Sequence, residues 1–189
     1  MTQQENTGPV IVESYRDFEP PPNFRRLIET LLLYIPPKYL TGLKTVVLTN
    51  RAGLTRDKRR QRVWSRNRKI LLANAAGSYS RATKSSPATV WLYVDNLARS
   101  AGWMLRLPFF RYMMPADVLY HEVGHHIHTV HRPIHEERED VAEDWSGKLY
   151  AHFVRKHYWY IYPFLYIAAQ IVSPIAKTLR ETRKPGNSR

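Results

Sequence analysis

The sequence contains no cysteine among its 189 residues. Disulfides and thiolate metal sites are therefore excluded, and any metal site must use histidine and carboxylate ligands. Residues 1–22 also lack the basic stretch followed by an apolar stretch that marks a secretory signal. The sequence therefore predicts a cytoplasmic protein.

Negative charge is scarce, because 16 Asp and Glu residues stand against 29 Lys and Arg, for a formal net charge of +13. The basic excess is concentrated in Arg51–Lys69 and in the tail from Lys177 to Arg189. Such runs bind nucleic acid, anionic lipid or acidic proteins, or simply form solvated loops. We predict a loop for Arg51–Lys69, with nucleic acid or an anionic membrane as its candidate partner.

Residues 158–176 contain no Asp, Glu, Lys or Arg. The segment is close to the length that crosses a bilayer, and its aromatic side chains suit a membrane interface. However, Gln170 and two prolines interrupt it. A core helix, an interfacial helix and a membrane span therefore all remain open, so the cytoplasmic protein we predict has a candidate membrane-associating segment.

The most informative motif that the chain does contain is His121-Glu122-Val123-Gly124-His125. On an α-helix the two histidines lie one turn apart on one face, so both imidazoles can bind a single metal ion. Glu122 lies beside them and can act as a general base. The flanking residues 118–127 are otherwise almost free of charge, as in a buried helix. The alternative is a solvated histidine-rich helix in which the motif arises by chance.

A catalytic zinc site usually has three protein ligands, and two regions offer the third. His131 fits the histidine spacing of metzincins, but that motif has a glycine where this chain has His128, and a methionine downstream. The acidic run that follows offers carboxylates instead, and on the residues alone all of these remain candidates: Glu139, Asp140, Glu143 and Asp144.

The acidic run fits the pattern E-x-x-A-[D/N]-x-[F/W]-[A/S], apart from Glu143 at the Asp/Asn position. Together with the histidine motif, it resembles the zinc and glutamate helices of gluzincin metallopeptidases, and is similar to the ImmA-type and CAAX-processing-type families. The resemblance covers roughly residues 89–151. It implies one Zn²⁺ held by His121, His125 and Glu139, with Ala142 packed against the zinc helix. It also implies that Glu143 orients a ligating histidine.

The pattern of apolar residues predicts an α+β fold, and the resemblance implies a minimal zincin-like domain. We expect a small, mostly antiparallel sheet followed by the zinc helix and the glutamate helix. The predicted strands cover residues 43–49, 69–76 and 89–95, and the predicted helices cover 23–35, 115–132 and 136–156. The expected organisation is a flexible segment (1–22), a zincin-like domain (23–157), and an apolar helix with a basic tail (158–189).

These assignments predict a zinc metallopeptidase that hydrolyses peptide bonds with Glu122 as general base. In the zincin core that the chain resembles, the strand before the zinc helix takes up an extended peptide at its edge, so the resemblance implies a peptide or protein substrate along strand 89–95, with Val90, Leu92 and Val94 as the substrate-binding residues. The alternative is a buried central strand without substrate contact. The oxyanion is expected to be stabilised by a donor from Tyr150, His152 or His157.

The alternative function is a non-catalytic, zinc-containing adaptor that docks on nucleic acid or an anionic membrane through Arg51–Lys69. In such a protein a fourth ligand, His128 or His131, would close the zinc shell. In a peptidase that position stays open for water.

Overall fold

The computed structural model describes residues 8–65, 68–108, 110–131 and 138–160. The chain divides into two compact units, residues 1–151 and 152–189. The apolar helix and basic tail predicted for residues 158–189 lie outside the described residues from residue 161 onward. Among the described helices, none is both long enough and apolar enough to cross a bilayer.

The described chain combines five α-helices with a small sheet, which agrees with the predicted mixture of helices and strands. The strands are β1 (Val10–Ser14), β2 (Leu43–Thr49), β3 (Arg62–Ser65), β4 (Arg68–Leu71), β5 (Gly77–Ser80) and β6 (Ala88–Tyr93). The helices are α1 (Phe24–Leu33), α2 (Arg56–Arg60), α3 (Val94–Ala101), α4 (Met113–His131) and α5 (Glu139–His157).

The main sheet has the strand order β1-β2-β6-β5. β1 pairs with β2 and β2 with β6 in parallel, and only β5 runs antiparallel, beside β6. The prediction of a mostly antiparallel sheet is therefore wrong. The physical reason lies in β2 and β6, whose nearly continuous apolar runs are buried on both faces, as is typical of parallel strands covered by helices.

Part of the segment that we expected to be flexible belongs to this sheet. β1 pairs with β2 over its whole length, from Val10 opposite Thr45 to Ser14 opposite Thr49. The hydroxyl of Thr49 donates to the carbonyl of Ser14 at 2.6 Å. The folded unit therefore begins before residue 23, contrary to the predicted boundary.

The prediction of a loop for the basic run Arg51–Lys69 is wrong. The run contains α2 and most of the antiparallel hairpin β3–β4. We call α2, β3 and β4 the basic unit. It packs on a small hydrophobic cluster of its own, composed of Leu54, Val63, Ile70, Leu72, Ala75, Trp91 and Tyr93. The strand predicted over residues 69–76 is shorter than expected, since β4 ends at Leu71.

Helix α4 crosses the sheet beside β5 and β6, and this position fixes the histidine motif in the interior. Pro115 lies in the first turn of α4, where its missing N–H would have no helical partner in any case. Every residue from Leu119 to His128 is buried. The buried hydroxyl of Tyr120 donates to the carbonyl of Leu31 at 3.1 Å, which links α4 to α1.

Candidate metal centre

The two motif histidines lie on one face of α4 and are almost fully enclosed. The exposed fraction is 5% for His121 and 8% for His125. Their Nε2 atoms are 3.3 Å apart, with the rings nearly perpendicular. The motif is therefore not on a solvated helix, and the two imidazoles converge on one point.

Glu139, the first residue of α5, completes the group. One of its carboxylate oxygens lies 3.3 Å from Nε2 of His121, and the other lies 3.8 Å from Nε2 of His125. Two ligand atoms bonded tetrahedrally to one zinc ion at the usual bond lengths are separated by about 3.3 Å. His121, His125 and Glu139 could therefore hold a metal ion, and their chemistry suits a borderline ion such as zinc.

Burial also keeps one of the candidate ligands in its metal-binding form. Desolvation, together with the neighbouring His121 and His128, lowers the pKa of His125 to about 4. The ring is therefore neutral at physiological pH, which is the form that binds metal ions.

Close backbone contact between α4 and α5 brings Glu139 to the histidines. A Cβ atom at Gly124 would lie 2.5 Å from the carbonyl oxygen of Ala142, so the helices can approach this closely only with glycine there. One turn further along α5, the hydroxyl of Ser146 donates to the carbonyl of Asp117 at 3.4 Å. Glu139, Ala142 and Ser146 thus share one helix face. Ala142 lies against α4, where the resemblance expects it.

Glu143 approaches the other nitrogen of a ligand ring. Its carboxylate lies 3.3 Å from Nδ1 of His121, although the pair does not have hydrogen-bond geometry. The Glu143 side chain is 58% exposed. A carboxylate in this position can fix the ring orientation of a metal-bound histidine, and for Glu143 that role stays a prediction.

The other carboxylates of the acidic run face elsewhere. Asp140 pairs with Arg138, which lowers the pKa of the Asp140 carboxyl, and Asp144 pairs with Lys148 at 2.6 Å. Among the described side chains, only Glu139 joins the two histidines in a possible metal group. His128 is buried but is not a member of this group. The side chain of His131 lies outside the described residues.

Glu122 is buried between α4 and the edge strand β5, with only 7% exposed. A Cβ atom at Gly77 of β5 would lie 2.8 Å from its Oε1 and 2.7 Å from Val118. Any larger residue at position 77 would therefore displace the carboxylate. We did not single out Gly77 from the sequence. A glycine at the start of a short strand is a recognised sign of close backbone approach.

The structure contradicts the predicted substrate-binding residues. β6 is flanked by β2 on one side and β5 on the other, so it has no free edge. Val90, Leu92 and Val94 are all completely buried, and Val94 already belongs to α3. The substrate role followed from the position of this strand before the zinc helix, whereas the structure places β6 in the centre of the sheet, which is the alternative given above.

Another buried histidine, His126, links β5 to α4. Its Nε2 lies 3.0 Å from the carbonyl oxygen of Thr41, and its Nδ1 lies 3.2 Å from the hydroxyl of Tyr79 on β5. Because a carbonyl only accepts, Nε2 carries the proton and Nδ1 accepts from Tyr79. Burial lowers the pKa of His126, which favours this neutral form. The sequence did not distinguish His126 from an exposed histidine.

Tyr150, one of the predicted oxyanion donors, lines a cavity of about 340 Å³. Glu143 and Asp117 line the same cavity, together with Met104, Met113 and Met114. Burial raises the pKa of Tyr150, and Asp117 raises it further, so the hydroxyl keeps its proton for donation. His152 and His157 belong to the second compact unit. The oxyanion donor therefore stays a prediction.

Comparisons of the chain with protein-family models, with curated proteins and with solved structures found no match. The functional argument therefore depends on the geometry of the described residues.

Proposed function

We propose that this protein is a zinc-dependent peptidase. The observation that carries the proposal is the group of His121, His125 and Glu139, in which two buried imidazoles and a half-buried carboxylate offer one ligand atom each within 4.8 Å of one another. Glu122 is buried beside it, next to an edge strand that can take up a peptide.

Zinc bound to these three residues would lower the pKa of a coordinated water towards neutrality and polarise the substrate carbonyl. Glu122 then accepts the proton of the attacking water and passes it to the amine leaving group.

The substrate-binding strand in this proposal is β5 rather than β6. β5 lies at the edge of the sheet, antiparallel to β6, and its Gly77 touches Glu122. An extended peptide that pairs with the outer edge of β5 would add a strand to the sheet and pass close to the general base. The bonds of His126 and its partners hold β5 against α4 for this purpose.

Replacement of Glu122 by Gln tests the proposal directly. The Glu122→Gln variant should bind one equivalent of zinc, like the wild type, because Glu122 is not a ligand. Its hydrolysis of a quenched fluorescent peptide mixture should fall by about 10²–10⁴-fold, because the proton acceptor is lost. Zinc content is measured on the same samples by atomic absorption.

The matched control is Glu19→Gln, which removes an exposed carboxylate of the same kind and should hydrolyse the peptides at the wild-type rate. A Glu122→Gln variant that carries a full equivalent of zinc and cleaves as fast as the wild type would contradict the peptidase proposal.

The exposed cations of the basic unit favour a second candidate, a zinc-containing adaptor without catalysis. In that case Glu122→Gln and the wild type would be equally inactive on every peptide. The zinc shell would then contain four protein ligands instead of an exchangeable water.

A further inference from the structure

The basic unit is a folded element rather than a solvated run, and two of its cations serve to hold it together. The Arg59 guanidinium donates to the carbonyls of Leu54 at 2.9 Å and Ala52 at 2.8 Å. The ammonium of Lys58 lies 5.0 Å from the centre of the Trp91 ring, on the hydrophobic cluster beneath the unit. Arg59 is therefore held by the fold, and Lys58, although exposed, contacts it through Trp91.

The other described cations of the unit are exposed, and no ion pair joins them to an acidic group among the described residues. They are Arg56, Arg60, Arg62, Arg68 and Lys69. Asp57 is the only acidic residue in the sequence from residue 51 to residue 94. Five fixed positive charges without neutralising partners repel one another, so an anionic ligand that binds several of them together is favoured.

We propose that the basic unit binds the phosphate backbone of a B-form DNA duplex. β3 and β4 form a two-stranded sheet of their own, and a two-stranded ribbon is narrow enough to enter the major groove. Four of the five exposed cations are arginines, whose planar guanidinium groups bind phosphate oxygens in pairs. The hydrophobic cluster orders the ribbon before binding.

The salt dependence of DNA binding tests this proposal with the full-length protein and a 20-base-pair duplex of arbitrary sequence. If all five cations contact phosphates, the affinity should fall about 500-fold between 50 and 200 mM NaCl. The variant Arg62→Gln, Arg68→Gln, Lys69→Gln keeps two contacts, and its affinity should fall only about 10-fold over the same range. Fluorescence anisotropy of the labelled duplex gives both values.

A control variant removes three exposed cations outside the unit: Lys44→Gln, Arg99→Gln and Arg106→Gln. It has the same net charge as the ribbon variant and should retain the wild-type salt dependence. Three results would overturn the proposal. The first is no duplex binding at 50 mM NaCl, and the second is the same change of salt dependence in both variants. The third is binding to anionic phosphatidylserine vesicles without binding to the duplex. Circular dichroism shows that each variant is folded.

Discussion

The α4–α5 pair and the basic unit both contain many ionisable residues, but these residues converge in the interior in the first region and are exposed at the surface in the second. Between α4 and α5, two imidazoles and a carboxylate are enclosed and lie 3.3 to 3.8 Å from one another. In the basic unit, five cations besides Lys58 are exposed and form no ion pair with an acidic group among the described residues. The function proposed for the first region depends on the position of each atom, and the function proposed for the second depends on the sum of several charges.

The largest effect is expected at the contact between the edge strand β5 and Glu122, the proposed general base. Gly77→Ala introduces a Cβ atom 2.8 Å from Oε1 and 2.9 Å from Cγ of Glu122. The carboxylate must move, and a misplacement of about 1 Å can cost about 100-fold in turnover. Zinc binding should be unchanged, because the three atoms nearest to the new one belong to Val118 and Glu122 and not to a candidate ligand. Peptide hydrolysis and zinc content measure the two effects separately.

Ser80→Ala, at the exposed end of the same strand, is the control and should leave turnover unchanged. If Gly77→Ala keeps the wild-type turnover, then the contact with Gly77 does not fix the position of the Glu122 carboxylate.

The next largest effect is expected at the contact between Gly124 of α4 and Ala142 of α5, which positions Glu139. Gly124→Ala places a Cβ atom 2.5 Å from the carbonyl oxygen of Ala142, so α4 and α5 must separate. We expect a loss of about 1 to 3 kcal/mol in the free energy of unfolding, together with weaker zinc binding. Chemical denaturation and a competitive zinc chelator measure these two quantities.

Gly147→Ala provides the matched control in the interior of α5, because a Cβ atom there meets nothing within 4 Å. This variant should be more stable by about 0.5 to 1 kcal/mol, since alanine is the better helix former. Equal behaviour of the two alanine variants would mean that close helix packing does not determine the metal centre.

A smaller effect separates structural from functional cations within the basic unit. Arg59→Gln removes two hydrogen bonds to backbone carbonyls and should lower the free energy of unfolding by about 1 to 2 kcal/mol. Arg60→Gln, at the adjacent and exposed position, should change it by less than about 0.5 kcal/mol. Thermal or urea denaturation of both variants tests this difference, and the reverse order would show that the unit is not anchored by Arg59.

The smallest effect is a pH dependence of the free energy of unfolding. We expect it from a buried tyrosine on α4 and not from the exposed cations. Burial raises the pKa of Tyr120 above its ordinary value near 10. Its stabilising contribution is therefore present below pH 10 and is lost as the pH rises further, because the unfolded chain ionises first. Tyr120→Phe should cost about 1 kcal/mol at pH 7 through the lost bond to Leu31, and less above pH 10.

The free energies of unfolding are compared at pH 7 and pH 10.5 by urea denaturation. Tyr160→Phe, at an exposed position, should differ little from the wild type at either pH. A gap between wild type and Tyr120→Phe that widens with pH would contradict the burial argument.

The parts of the site that could be predicted from the sequence are local. His121 and His125 are one turn apart on a single helix, so their convergence follows from helix geometry alone. The strand β2 has the predicted bounds, because its apolar run is bounded by clear turn residues. The partners of each strand, in contrast, depend on residues distant in the chain, such as β1 beside β2 and Gly77 beside Glu122.

The wrong prediction that β6 binds substrate at its edge could have been avoided from the sequence. Residues 88–93 are apolar at nearly every position instead of alternating, which is the pattern of a central strand with both faces covered. A strand that offers an edge to substrate has no such requirement. The fold of the basic unit was not predicted for a different reason. Its sequence is mostly charged, and the few apolar residues that pack on Tyr93 form no recognisable pattern.

The central claim is that one metal ion binds His121, His125 and Glu139, and a crystal structure of the zinc-loaded protein tests it most directly. The account predicts a single zinc ion about 2.0 to 2.2 Å from Nε2 of both histidines and from a Glu139 oxygen, with solvent in the fourth position. Zinc bound through Asp140 or Glu143 instead, a fourth protein ligand in place of solvent, or no ion between α4 and α5 would contradict it.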